Sequence, residues 1–214
     1  MTVRQGHDKA EHRVVHQVAA WCLDYPDEAL ARQLPTLRGA LAEQPEGRPV
    51  RLLRTFLDHV SATPLEALQQ HYVKVFDLSR KHALHLSYWT DGDTRRRGEV
   101  LAAFKARYRD TGFLVDTGGE LPDFLPMVLE FAAVADPAAG AELLQQYRPS
   151  LELLRLGLLE DGTPYADVVT AVCETLPGPS PADRAAVMAM AGAGPPVESV
   201  GLEPYGVRVL PVQG

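Results

Sequence analysis

Two runs in this chain carry residues whose types and spacing could do chemistry. The first, Glu120-Leu121-Pro122-Asp123-Phe124-Leu125-Pro126-Met127-Val128-Leu129-Glu130-Phe131, sets two carboxylates and two prolines at the entry to an apolar helix. With Asp123 as the N-cap, Pro126 falls at the third helical position, where a missing N–H costs little, and the cap contributes about 1 kcal/mol. Negative charge from Glu120 and Asp123 also complements the helix dipole. A helix start therefore accounts for these residues. A binding role accounts for them too, if one carboxylate faces a groove and accepts a charge-assisted hydrogen bond from a partner's arginine.

The second run, Gly92-Asp93-Thr94-Arg95-Arg96-Arg97-Gly98, puts three arginines into a first helical turn. There they oppose the macrodipole by up to about 1 kcal/mol each. Arg95 and Glu99 form an i,i+4 pair, but in the weaker orientation. Asp93, Arg95 and Arg97 are therefore read as structural ion-pairing residues, with at least one arginine meeting Asp77 or a carboxylate of the Glu120 run. Gly98 costs about 1 kcal/mol against alanine inside a helix, which predicts close approach of a neighbouring helix.

Other chemistries lack their residues. Cys22 and Cys173 are the two cysteines, without a CxxC pair, and both sit among apolar neighbours as buried free thiols would. His12 and His16, and His82 and His85, lie one turn apart but without the third ligand that zinc needs; surface or half-buried positions are expected. His7-Asp8 lacks the further histidines and aspartates of a helical metal phosphohydrolase. No phosphate loop, dinucleotide fingerprint or GxSxG elbow occurs. No metal, cofactor or catalytic residue is expected. A helical hydrolase using paired acids is the weakest alternative.

The elements that must position these runs read as helical nearly throughout. Val14, Val15, Val18, Ala19, Cys22 and Tyr25 recur at helical steps, up to a stop before Pro26. A helix over about 27–44 meets a break or kink at Pro35, and 45–49 is a turn. A third helix puts Leu52, Leu53, Phe56, Leu57 and Val60 on one face. Thr63-Pro64 reads as a cap followed by a proline at the first helical position, and opens a helix bearing Leu65, Leu68, Tyr72, Val75 and Phe76. Further helices are expected over about 81–90, from Asp93 or Thr94 to a terminator at Gly112, and after the Asp136-Pro137 cap, with Pro149 as a break. The last firm helix covers about 164–176.

The chain has 214 residues, 46% of them hydrophobic, which suits one ordinary domain with a real core. Seven of its 17 prolines lie between Pro177 and Pro211. The organisation expected is an all-α, single globular helical bundle over 1–176 with a Pro/Gly-rich, partly ordered tail over 177–214. One short helix (about 182–191) is expected there, and Val207 to Val212 as an edge segment along the body. The net charge of −7 argues against nucleic acid and an anionic membrane face, and suits a partner segment carrying arginines. A polar stretch from Met1 to Arg13 predicts no signal peptide, and no apolar run is long enough to cross a bilayer. A cytosolic protein is expected.

In order and spacing the motifs resemble the NarJ family of nitrate reductase assembly chaperones, within the wider TorD/DmsD class of redox-enzyme maturation proteins. The resemblance covers about Val14 to Leu176. It rests on Tyr72-Val73-Lys74-Val75-Phe76-Asp77, Leu84-His85-Leu86, the Gly92 to Gly98 run, Tyr108, and the Glu120 to Phe131 run. In that family a histidine commonly follows the aspartate, and here it is Phe124, so a role for that histidine does not carry over. The resemblance implies a TorD-like helical body that binds the N-terminal segment of the catalytic subunit of a membrane-bound nitrate reductase. It would hold that subunit in the cytosol for molybdenum cofactor insertion. Binding would be helix-in-groove, with an affinity of about micromolar. Tyr72, Phe76, Tyr88 and Trp89 would be aromatic anchors near the groove, although core packing suits Phe76 better. Phe124 would sit with them, and Glu120 and Asp123 would supply the charge complement. Maturation of a dimethyl sulfoxide or trimethylamine oxide reductase is the alternative, and docking of cofactor-synthesis proteins stays open.

Overall fold

The computed structural model describes residues 2–91, 95–112 and 119–192, and every regular element among them is helical. In order these are α1 (Thr2–Leu23), α2 (Glu28–Ala42), α3 (Arg48–Ala62), α4 (Leu65–Tyr72), α5 (Tyr88–Asp91), α6 (Arg95–Asp110), α7 (Leu125–Glu130), α8 (Pro137–Gln146), α9 (Arg148–Glu160), α10 (Tyr165–Cys173) and α11 (Arg184–Gly192). Two helices run on into π turns: α4 into Val73–Asp77 and α7 into Phe131–Ala135. The tail beyond residue 192, with Val207 to Val212, lies outside the described residues.

The core forms around α10. Every residue of it except Asp167 is buried, as suits a helix that is apolar all round. α1, α3 and α9 pack against it, and α7 closes over α1. α3 shows why its sequence folds this way: Val50, Leu53, Phe56, Leu57 and Val60 recur at three and four residue steps and all are buried. Cys22 and Cys173 are buried free thiols, their pKa values raised by burial.

Caps and breaks fall partly where the residues predict. Asp136 caps α8 as expected, accepting from Ala138 and Ala139 (3.0 Å each); Asp27, read only as the approximate start of its helix, caps α2 through the Ala29 and Leu30 amides (2.7 and 3.1 Å). Gly112, at φ +74°, stops α6. Pro149 is placed just inside the start of α9. Four expectations are corrected. Pro35 does not break α2, because it sits on the solvent face, where water can satisfy the carbonyl it strands. Pro64 is itself the N-cap of α4, while Thr63 ends α3 and donates its hydroxyl to the His59 carbonyl. Gly98 faces open space. The close approach is instead at Gly140, where a Cβ would collide with the Ala132 backbone. Finally, 81–90 is not one helix: a 3-10 turn (Arg80–His82) leads through extended residues to α5.

Two of the four paired histidines also differ from expectation, while His12 and His85 are half-buried as expected. His16 is buried and bonds Thr175 at 2.8 Å. His82 is buried, contacts the Val75 carbonyl at 3.1 Å, and packs against Gly157.

One buried ionic cluster went unread in the sequence. Glu152, on α9, lies between Arg148 and Arg155, with nitrogen–oxygen distances of 3.4 and 2.6 Å, and also accepts from the Ser180 hydroxyl at 2.7 Å. Arg148 donates to the carbonyls of Pro177, Gly178 and Pro179, and Arg155 to that of Pro181. The proline-rich segment after α10 is thereby fastened to α9, and α11 packs beyond it.

Candidate functional site

The departure from helix after residue 82 builds the site. Leu84 and Leu86 are buried while His85 between them is half-buried, an alternation with period two. The segment pairs with the start of the Glu120 run. Leu86 N–H donates to the Asp123 carbonyl (3.0 Å) and Leu125 N–H to the Leu84 carbonyl (2.8 Å), an isolated antiparallel bridge between His85 and Phe124. Tyr108 of α6 donates its hydroxyl to the Pro122 carbonyl at 2.6 Å and holds the run from the other side.

Asp123 is accordingly not the N-cap of α7; Phe124 holds that position without a side-chain bond. The Asp123 carboxylate is fully buried and turns back to Ser87, accepting from its amide (3.0 Å) and its hydroxyl (2.6 Å). Its other oxygen lies 3.4 Å from His85 Nδ1. Burial alone would raise its pKa, but the nearby His85 ring and the two bonds from Ser87 outweigh burial and hold it below the ordinary carboxylate range. Asp123 pairs with no arginine and meets no solvent. It fixes the bridge rather than facing a groove.

Above this bridge lies a cleft of about 530 Å³. Tyr72, Phe76, Tyr88, Glu120 and Phe124 all line it, although they come from distant parts of the chain. Asp24, Tyr25, Asp77, Arg80, His85 and Arg97 complete most of its wall. Tyr72 is held by its hydroxyl bond to the Leu23 carbonyl (3.1 Å) and by edge packing against Tyr25. Phe76 is largely core, tilted against Tyr72 and edge-on to Tyr165, each at a centroid distance of 4.8 Å. The π turn carries Phe76 to the floor and Asp77 to the rim, a deviation often found where a helix serves a site. Trp89 is not a cleft residue: its indole N–H donates to the Ala83 carbonyl (3.0 Å) and braces that wall.

The cleft pairs an aromatic floor with carboxylates. Asp24, Asp77 and Glu120 are exposed, and among the described residues Asp77 and Glu120 form no salt bridge. Their field registers on Tyr72, whose phenol is pushed up by burial first, then by Asp24, Tyr165, Asp77 and Glu120. Arg97 shares the cleft with Asp77 and Glu120. Asp93 and the Arg95 side chain lie outside the described residues. Ser87, His85 and Asp24 were not read as site residues. The alternation at 84–86 was the available signal for the first two; nothing local marked Asp24.

Among the described residues no three His, Cys, Asp or Glu side chains converge so as to hold a metal ion, and no helix is long and apolar enough to cross a membrane. The arrangement suits recognition: a cleft of mixed aromatic and polar lining, with exposed acids at its rim that can meet a partner's cations.

The model of the nitrate reductase delta subunit family matches residues 27–171. NarX of Mycobacterium tuberculosis, a nitrate reductase-like protein, is 46% identical over 163 residues, covering 76% of this chain but 24% of its own length. NarJ of Bacillus subtilis is 33% identical over 168 residues, 78% of this chain and 90% of its own. NarJ of Escherichia coli, a nitrate reductase molybdenum cofactor assembly chaperone, is 32% identical over 147 residues, 67% of this chain and 61% of its own. The chain thus spans about a quarter of NarX and about three fifths of that NarJ. A solved redox enzyme maturation protein from Archaeoglobus fulgidus has the same fold, with a TM-score of 0.57 at 21% identity over 76% of this chain and 91% of that one.

Proposed function

The chain belongs to the nitrate reductase delta subunit family, that of the NarJ proteins, and from that premise we propose that it is an assembly chaperone, not a catalyst, for a molybdenum-containing nitrate reductase. In this reading it binds the N-terminal segment of the apo catalytic subunit in the cytosol and keeps it open to cofactor insertion. One observation carries the proposal: Tyr72, Phe76, Tyr88, Glu120 and Phe124 meet at a single acid-rimmed cleft.

The mechanism follows from the geometry. An amphipathic segment lays its apolar face on Tyr72, Tyr88 and Phe124. Arginines on its flank reach Glu120 and Asp77, where charge-assisted, bidentate bonds fix its register. Asp123 works from below. By clamping Ser87 it holds the bridge that sets Phe124 against His85 at the cleft wall, so the cleft is formed before the client arrives. Ordering a disordered segment keeps affinity modest, about micromolar. Release follows once the loaded subunit buries that segment in its own fold, because the chaperone then binds only the immature state.

The direct test is recovery of the partner. The tagged full chain, purified from cells assembling a nitrate reductase but deprived of molybdenum cofactor, is expected to bring down the catalytic subunit, identified by mass. Recovery of a dimethyl sulfoxide or trimethylamine oxide reductase subunit would move the proposal to that client class. Recovery of no reductase would overturn it.

A further inference from the structure

A second and larger hollow, about 1310 Å³, lies on another face, between α1, α8, the start of α9 and the end of α11. Its walls include Ala132, Pro137, Ala138, Ala141, Pro149 and Leu176. The polar groups around it are mostly engaged within the chain, although among the described residues Arg13 and Asp136 have no ion-pair partner. Arg13 donates to the Ala133 carbonyl, Asp136 caps α8, Glu142 pairs with Arg107, and Arg148 is spent on the carbonyls of 177–179. His16, at the floor, bonds Thr175. An occupant of this groove therefore meets a largely apolar wall, with the exposed Arg13 among its lining residues as the cation it can reach. That separates it from the acid-rimmed cleft, which fits an arginine-bearing client.

We infer that this groove is the dock for the chain's own C-terminal segment, residues 193–214. Three observations on the molecule point there. First, Met190 and Ala191, the last turn of α11, line the groove, so the chain is delivered at its edge. Second, the 22 residues that follow reach about 70 Å when extended, enough to cross any groove on a domain of this size. Third, the segment matches the groove chemically. It carries three charged residues, Glu198, Glu203 and Arg208, against a run of Val207, Val209, Leu210 and Val212. Its prolines, among them Pro204 and Pro211, disfavour helix and suit an extended strap laid along an apolar trough. Covering this face in cis also leaves the client cleft as the surface open to a partner.

The test uses the full chain. Ala141, exposed at the groove wall, is replaced by the photo-crosslinker p-benzoylphenylalanine, and the irradiated protein is digested and mapped by mass. The inference expects crosslinks within one chain to residues 193–214, with a yield independent of protein concentration. Crosslinks to a second copy, rising with concentration, would make the groove a self-association face and overturn it. So would no crosslink to 193–214, or crosslinks to client peptide in place of them. Independently, the variant V207S/V209S/L210S should raise fluorescence of an environment-sensitive apolar dye several-fold at unchanged circular dichroism. Equal dye binding in variant and wild type would count against the strap.

Discussion

Removing the Asp123 carboxylate should destabilise the protein far more than removing an acid from the cleft rim. Asp123→Ala strands two buried donors of Ser87, its amide and its hydroxyl, in a residue with no solvent exposure. Each stranded donor costs about 1–3 kcal/mol, so the loss should be about 2–6 kcal/mol at pH 7. Asp123→Asn keeps a neutral acceptor and should lose about 1–2 kcal/mol, since a bond to a neutral oxygen has roughly half the strength of one to a carboxylate. The pH dependence has a definite sign. The folded-state pKa of Asp123 lies below the unfolded one, so its contribution is complete above the unfolded value of about 3.9 and disappears as pH falls through the folded value. Asp123→Asn should therefore lose less stability than wild type on acidification below about pH 4. Urea unfolding of wild type, Asp123→Asn, Asp123→Ala, Ser87→Ala and the Asp123→Ala/Ser87→Ala double variant measures each of these. The double variant should be markedly less destabilised than the sum of the singles, because the two residues are in contact. An Asp123→Ala protein within about 0.5 kcal/mol of wild type would refute the idea that this carboxylate holds the bridge together.

Other perturbations are equally specific. His16 is buried and its pKa is lowered to about 4, by burial first and then by the charge of His12. Its neutral form is favoured by folding, so stability should fall by up to about 3 kcal/mol as pH drops from about 6.5 to 4, and His16→Gln should flatten that slope in urea titrations. Glu152→Gln leaves two buried guanidiniums without their carboxylate and should cost about 3–5 kcal/mol. Faster hydrogen exchange in α11 should accompany it, as the fastening to residues 177–181 loosens. Gly140→Ala places a methyl group against the Ala132 backbone and should cost about 1–3 kcal/mol, read from the urea midpoint, whereas Gly98→Ala should be neutral or stabilising.

How much of this was legible in the chain depends on the range of the interaction. Helix periodicity is local, and α1, α3 and α10 follow it; so do the Asp136 cap and the Gly112 stop. The segment from Lys81 to Thr90 looked helical because its apolar residues fit a helical spacing as well as an extended one over so short a length. Pairing with residues 122–125, nearly forty positions away, decides the matter. The same distance hid the fate of Asp123: its position ahead of an apolar helix is what a cap requires, and only the folded chain brings Ser87 within reach. Gly98 invited a packing reason that the structure gives to Gly140 instead, since a glycine in a helix does not announce what lies beside it. The Arg148, Glu152 and Arg155 spacing was visible as i,i+4 and i,i+3 pairs inside a leucine-rich helix, and burial turns that ordinary surface pattern into a clamp. Tyr72, Phe76, Tyr88, Glu120 and Phe124 share no local signal. They could be gathered into one expectation only through the resemblance of the motifs, and that same route misassigned Trp89, which braces the wall from behind.

Isothermal titration of a synthetic peptide spanning the N-terminal segment of the nitrate reductase catalytic subunit tests the central claim most directly. Wild-type protein should bind it with a dissociation constant of about micromolar, and reversing the rim charges with Glu120→Lys and Asp77→Lys should weaken binding at least tenfold, about 1.4 kcal/mol, with urea stability unchanged. Binding of equal strength in the charge-reversed protein, or no binding by wild type, would contradict the account.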